Sequence, residues 1–257
     1  IHDDVIDRDV VRHGVPNLSG HYANKSRRAG ATEEAAQHAG MAAGLLAGDL
    51  VLAGAYRLHE SVAADSGVRA ELSAILDHAV FSSIGGELLD VEFARAVEMP
   101  SPGEVRTVAR RKTAVYSFEA PLQAGAVLAG AAAPAAATLA AFGRDAGIAY
   151  QIADDVRGTF GDEADTGKTN SGDLREGKRT VLLSYAASKP QWGRISELMG
   201  GAGMTAAEVQ KVRDLLTECG ARDHAVQLAS EHAHAAVKQL GEEIPAALAE
   251  SLESLMH

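Results

Sequence analysis

From Ala120 to Gly143 the chain carries no charged residue, and apolar positions continue at helical spacing through Ile148 and Ile152 to two adjacent aspartates, Asp154 and Asp155. An uncharged stretch of this length belongs either in a membrane or in a helical core. The run is Ala and Gly rather than Leu and Ile, and Pro134 divides it. It therefore reads as two core helices meeting at a turn near Gly130 to Pro134. The second helix carries Gln151, Asp154 and Asp155 at its end, where a rigid element can hold their geometry.

A loop with Gly167-Lys168 and Asp173-Leu-Arg175-Glu-Gly-Lys178-Arg179-Thr180 follows directly. Paired carboxylates beside lysines suit a polyphosphate clamped through a divalent metal. Magnesium takes a carboxylate or two per ion and completes its shell with water and phosphate. Lys and Arg then neutralise the oxygens left over.

A matching cluster stands at the other end: His2-Asp3-Asp4-Val-Ile-Asp7-Arg8-Asp9, then Arg12-His13-Gly14-Val-Pro16. On a helix Asp3 and Asp7 are one turn apart on one face, with Asp4 beside them. Three such carboxylates repel one another unless a cation sits among them. Either cluster alone reads equally well as a solvated helix end. Two of them, each trailed by basic residues, point to metal. Hard oxygen donors without a Cys/His cluster select magnesium, with manganese as the alternative.

The rest of the chain reads as helix. Residues 1 to about 12 read as a helix end, and His13 to Gly30 as a polar loop. Thr32 caps a helix with Glu33 and Glu34 in its first turn, whose apolar run from Met41 to Leu58 encloses Asp49; a buried Asp there needs a partner. Gly67 breaks the chain before a helix from Val68 to Ala96, with Leu72, Ile75, Leu76, Ala79, Val80 and Ile84 in phase. Ser101-Pro102 opens the next, which carries Lys112 just before apolar and aromatic residues. Val181 to Ala187, the capping box Thr205-Ala-Ala-Glu208, Ala221 to Leu240 and Pro245 to Met256 complete the series. Glu231 and His234 have the spacing of a di-iron ligand pair, but a single copy reads as surface. No strand pattern of convincing length appears. The expected fold class is all-α, a helical bundle around a central cavity. No linker interrupts the 257 residues, so one domain over 1–257 is expected. The net charge of -11 argues against a nucleic-acid partner. The one cysteine, Cys219, excludes an internal disulfide, fits a reducing compartment, and reads as a small helical core residue.

Together these motifs resemble the trans-isoprenyl diphosphate synthases of the polyprenyl synthetase family. The resemblance rests on Asp3-Asp4-x-x-Asp7 with Arg-x-Gly-x-Pro after it, and on Gln151-x-x-Asp154-Asp155 with the Gly-Lys and Asp-x-x-x-x-Lys loop. Gly86-Glu87-Leu88-Leu89-Asp90 and Lys112-Thr113-Ala-x-Tyr116-Ser-Phe118 lie between and match as well.

The resemblance implies a homodimeric cytoplasmic enzyme without a transmembrane segment. It joins isopentenyl diphosphate to an allylic diphosphate and releases diphosphate. Asp3, Asp4, Asp7, Asp154, Asp155 and Asp173 are implied as metal ligands. Arg12, His13, Lys112, Thr113, Gln151, Lys168 and Lys178 are implied at the substrates, and Asp3, Asp4, Lys112, Asp154 and Asp155 in catalysis. Family members carry helices before the first Asp pair, so the chain as given is expected to be N-terminally incomplete, and product length is not legible from it. Two departures stand out. His13 occupies the place of a frequent second Arg, and Gly158 that of a frequent third Asp, for which Asp173 is the expected substitute. A terpene cyclase or head-to-head synthase, and a non-catalytic subunit of a heteromeric prenyltransferase, are the alternatives.

Overall fold

A computed structural model describes residues 1–12, 14–161, 172–199 and 203–256. The described residues are almost wholly helical, as the apolar periodicity predicts. Their only strands are β1 (Val11–Arg12) and β2 (Val15–Pro16), which pair antiparallel in register Val11↔Pro16 and Arg12↔Val15. The chain forms two compact units, Ile1–Ala63 and Ala64–Phe160 with the described residues from 172 onward.

The first unit holds α1 (His2–Ile6), the hairpin, α2 (Leu18–Arg28) and α3 (Glu33–Glu60). Here the sequence reading needs correction. The opening helix stops at Ile6, because Arg8 takes φ 59, and a hairpin follows where helix was expected. The expected polar loop contains α2, whose start is fixed by Asn17 accepting from the Gly20 N–H at 2.9 Å. Thr32 caps α3 as read. Gly40, Gly44 and Gly48 recur every four residues along α3. A side chain at any of them would strike Ser19, Val5 or His2, so the stripe lets α1 and α2 lie close. Asp49 is not buried; its side chain is 65% exposed, with His2 Nε2 at 3.3 Å. Met41, Leu45, Leu46, Leu50, Val51 and Leu58 are exposed too. Among the described residues α3 is the one helix long and apolar enough to cross a membrane, on length and composition alone.

The second unit begins with α4 (Ser66–Arg95), capped by Asp65, so Gly67 lies inside the helix rather than breaking it. Ser101 and Glu104 form a capping box at α5 (Pro102–Ala109). The chain then runs through a π-helix, Arg110–Glu119, into α6 (Ala120–Leu128), turns at Gly130, and forms α7 (Ala133–Phe160). These are the two core helices expected from the uncharged run. Ile148 and Ile152 of α7 are buried in a core with Val105, Ala114, Leu174 and Leu182. Phe142 and Leu139 join a second core with Ala126, Ala236 and Leu252. Short helices α8 (Gly172–Glu176), α9 (Val181–Ala186) and α10 (Trp192–Leu198) precede α11 (Ala206–Glu218), α12 (Ala221–Gln239) and α13 (Ala246–Ser254). Thr205 and Glu208 close the expected capping box. Glu231 and His234 are exposed, as read. Cys219 is the C-cap of α11 and partly buried.

Candidate active site

The π-helix and α7 meet backbone to backbone. A side chain at Gly143 would strike Phe118 and Glu119, and one at Gly147 would strike Ala114. Two turns beyond Gly143 the same face of α7 presents Gln151, now opposite Thr113. The Thr113 hydroxyl donates to Gln151 Oε1, and Gln151 Nε2 donates to Asp155 Oδ1 at 2.8 Å. Each end of the amide is therefore committed, and the Asp155 carboxylate is held from behind.

Asp155 sits in a hostile environment for a negative charge. Burial pushes its carboxyl well above the usual range, and the charge of Asp173 adds to this; Gln151 opposes the rise, while Asp154 and Asp90 reinforce it. Asp154 next to it is exposed. Asp173 reaches the cluster from α8. Its Oδ2 lies where a side chain at position 158 would go, 2.8 Å from a Cβ placed there. Gly158 thus leaves the room that the Asp173 carboxylate fills. Lys178 Nζ lies 3.7 Å from Asp173 Oδ1, and its N–H donates to the Asp173 carbonyl at 2.9 Å.

Lys112 points toward α4. Its ammonium lies 2.6 Å from Asp90 Oδ2 and 3.0 Å from Glu87 Oε2, and all three side chains are largely buried. The approach depends on Gly86, where a side chain would collide with the Lys112 N and the Arg111 carbonyl carbon. Sequence reasoning quoted Glu87 and Asp90 as part of a motif without giving them a role. Their i, i+3 spacing on one helix face was the available signal. It also missed Arg179, which donates to the carbonyls of Phe93 and Ala96, both at 3.2 Å, and so closes the end of α4.

In the first unit Asp4 is buried, 5% exposed. Arg12 meets it with Nε at 2.8 Å and Nη2 at 2.5 Å, and Nη2 also reaches Asp3 at 3.3 Å. The hydrogen bond to Asp4 is the main cause of a raised guanidinium pKa. Arg12 is therefore counterion to the first aspartate pair in this structure. Asp7 is the C-cap of α1, and its N–H donates to the Asp3 carbonyl at 2.9 Å, which keeps it one turn from Asp3. His13 and Lys168 lie outside the described residues.

Among the described residues no three His, Cys, Asp or Glu side chains are grouped so as to hold a metal ion by themselves. At Asp155 burial first, and the charges of Asp173, Asp154 and Asp90 after it, disfavour the ionised form, an environment a bound cation would relieve.

The family model for polyprenyl synthetase matches residues 1–218. The geranylfarnesyl diphosphate synthase of Aeropyrum pernix is 31% identical over 99% of this chain and 74% of its own length. The geranylgeranyl diphosphate synthase of Methanosarcina mazei is 28% identical over 89% of this chain and 64% of its own. Among solved structures, the geranylgeranyl pyrophosphate synthase of Corynebacterium glutamicum, complexed with isoprenyl diphosphate and magnesium, aligns with a TM-score of 0.91 at 29% identity. That alignment covers 99% of this chain and 72% of the Corynebacterium chain. The chain thus spans about two thirds to three quarters of the length of these relatives.

Proposed function

The chain belongs to the polyprenyl synthetase family, whose all-α isoprenoid synthase-type bundle serves head-to-tail elongation of prenyl chains, and from that premise we propose that it condenses isopentenyl diphosphate with an allylic diphosphate in the presence of magnesium. The observation that carries the reading is the set of carboxylates whose charges bear on Asp155, namely Asp173, Asp154 and Asp90, the last of which binds the Lys112 ammonium. Asp154 and Asp155, assisted by Asp173, would hold magnesium in the second unit; Asp3, Asp4 and Asp7 would hold it in the first. Magnesium held by these residues would supply positive charge for the departing diphosphate. Manganese is the expected replacement.

The protein's own side chains supply the rest. Lys112, Lys178 and Lys168 add cationic donors to the departing diphosphate. Gln151, anchored by Thr113, orients Asp155. Arg12 would exchange Asp3 and Asp4 for phosphate oxygens if those carboxylates held metal, and His13 is the further residue expected at the isopentenyl diphosphate. The one domain over 1–257, the cytoplasmic location and the homodimer belong to the same proposal. The exposed apolar side chains of α3 favour burial against a second copy.

The test is an incubation of the protein with labelled isopentenyl diphosphate, an allylic primer and magnesium. Label is expected in longer prenyl diphosphates, and excess chelator is expected to abolish it. Cyclised or head-to-head products would replace this reading with that of a cyclase or head-to-head synthase. No product without a second, different subunit would make the chain a partner subunit.

A further inference from the structure

Glu119 is a buried acid with no part in the site described above. It is 7% exposed and is the last residue of the π-helix. Two arginines address one of its oxygens. Arg144 of α7 donates from Nη2 to Oε1 at 3.1 Å, and Arg110 Nη2 lies 3.6 Å from the same atom. As a stabilising device the cluster is poor, because Glu119 Oε2 and the Nε of both arginines are buried without a hydrogen-bond partner. Buried ion pairs are weak sources of net stability, and the use best attested for them is to fix a register.

A register is what this contact reads. Arg110 and Glu119 are the first and last of the ten residues of the π-helix. An α-helix, at about 3.6 residues per turn, would place them roughly two and a half turns apart, on opposite faces. Bonding five residues back, as the Ala120 N–H does to the Val115 carbonyl, gives roughly 4.4 residues per turn and places them about two turns apart on one face. The pair therefore forms only while the segment is π-helical. Pro121 follows, but its missing N–H disturbs only the ladder bond beside it. Arg144 ties the same carboxylate to α7, next to Gly143, where the two backbones touch. Nearer the other end, the Thr113 hydroxyl is bonded to Gln151 of α7. A change from π to α between Thr113 and Glu119 would turn one against the other by roughly 100°. The two contacts to α7 cannot both survive that turn.

We propose that Glu119, held by Arg110 and Arg144, is a positioning residue that locks Arg110–Glu119 in the π register and so keeps Thr113 on Gln151, behind Asp155. Its functional half rests on the prenyl-transfer reading; its structural half stands without it.

The experiment joins crystal structures to a double-mutant cycle. In Glu119→Met the segment is expected to revert to bonding four residues back over at least one turn, with the Thr113–Gln151 hydrogen bond lost. Arg110→Met is expected to do the same, and it replaces Glu119→Met throughout if that variant does not fold by circular dichroism. A segment that stays π-helical with Thr113 on Gln151 overturns the inference. The cycle measures kcat of prenyl transfer for wild type, Glu119→Met, Thr113→Val and the double variant. Each single change is expected to lower kcat at least about tenfold, and the double to lie within about threefold of the slower single, because both act through one placement. Losses that multiply overturn the inference, since Glu119 and Thr113 share no partner and would then be independent supports. A wild type that transfers no prenyl group overturns the prenyl-transfer reading, and the structures then still decide the lock.

Discussion

Asp155 is a carboxyl whose surroundings disfavour its charge. Its carboxyl is raised by burial and by Asp173, so between the ordinary carboxylate pKa and the raised value the folded chain binds more protons than the unfolded one. Stability then falls as pH rises through that window. In chelator, Asp155→Asn should therefore melt higher than wild type at neutral pH, by about 2–4 °C for each kcal/mol relieved. The difference should shrink toward zero as pH drops to about 4 and below, where both side chains are neutral. A difference that does not change with pH would mean that packing, not charge, sets it. The acidic pairs and Lys112 stood out in the sequence because two pairs of adjacent carboxylates are each trailed by cations. The partners of Lys112 were not, because Asp90 lies 22 residues away in sequence and only the fold brings the two together.

Among the elements, the helix starts were readable and the close approaches were not. Thr32, Ser101 and Thr205 each accept from a backbone N–H three residues on, which is local chemistry written in the sequence. The helix Leu18–Arg28 went unread because its polar, Gly-containing segment has no apolar face to mark it. It forms because Asn17 caps it and Ala23 packs under α3. Tertiary contact, not local preference, decides such a segment. The π-helix likewise has no signature in its residues. Gly86 is where contact between elements can be tested. A Cβ there meets backbone atoms of Lys112 and Arg111, which cannot rotate away. Gly86→Ala should cost about 1–3 kcal/mol in urea unfolding, the range for overpacking, despite the better helix propensity of Ala. A stabilised Gly86→Ala would show that α4 and the π-helix are not held at this distance.

At the scale of the whole molecule, the family match over residues 1–218 carries the class of reaction, while association is proposed from the surface. Leu46 and Leu50 of α3 are 67% and 73% exposed, on a helix whose opposite stripe is committed to α1 and α2. Light scattering should give twice the chain mass, and Leu46→Asp with Leu50→Asp should shift it toward the single-chain mass with helicity retained. An unaltered dimer would place the interface elsewhere.

The central claim is that carboxylates at the end of a core helix turn the chain into a metal-dependent prenyl transferase. It is tested most directly by the initial rate of prenyl transfer, with saturating magnesium, for wild type and Asp154→Ala. Asp154 is exposed and supports no packing, so the variant should keep its helical circular dichroism. Its rate should fall well below a tenth of the wild-type rate. A variant that keeps more than about a tenth, a barrier change under ~1.4 kcal/mol, would contradict the claim.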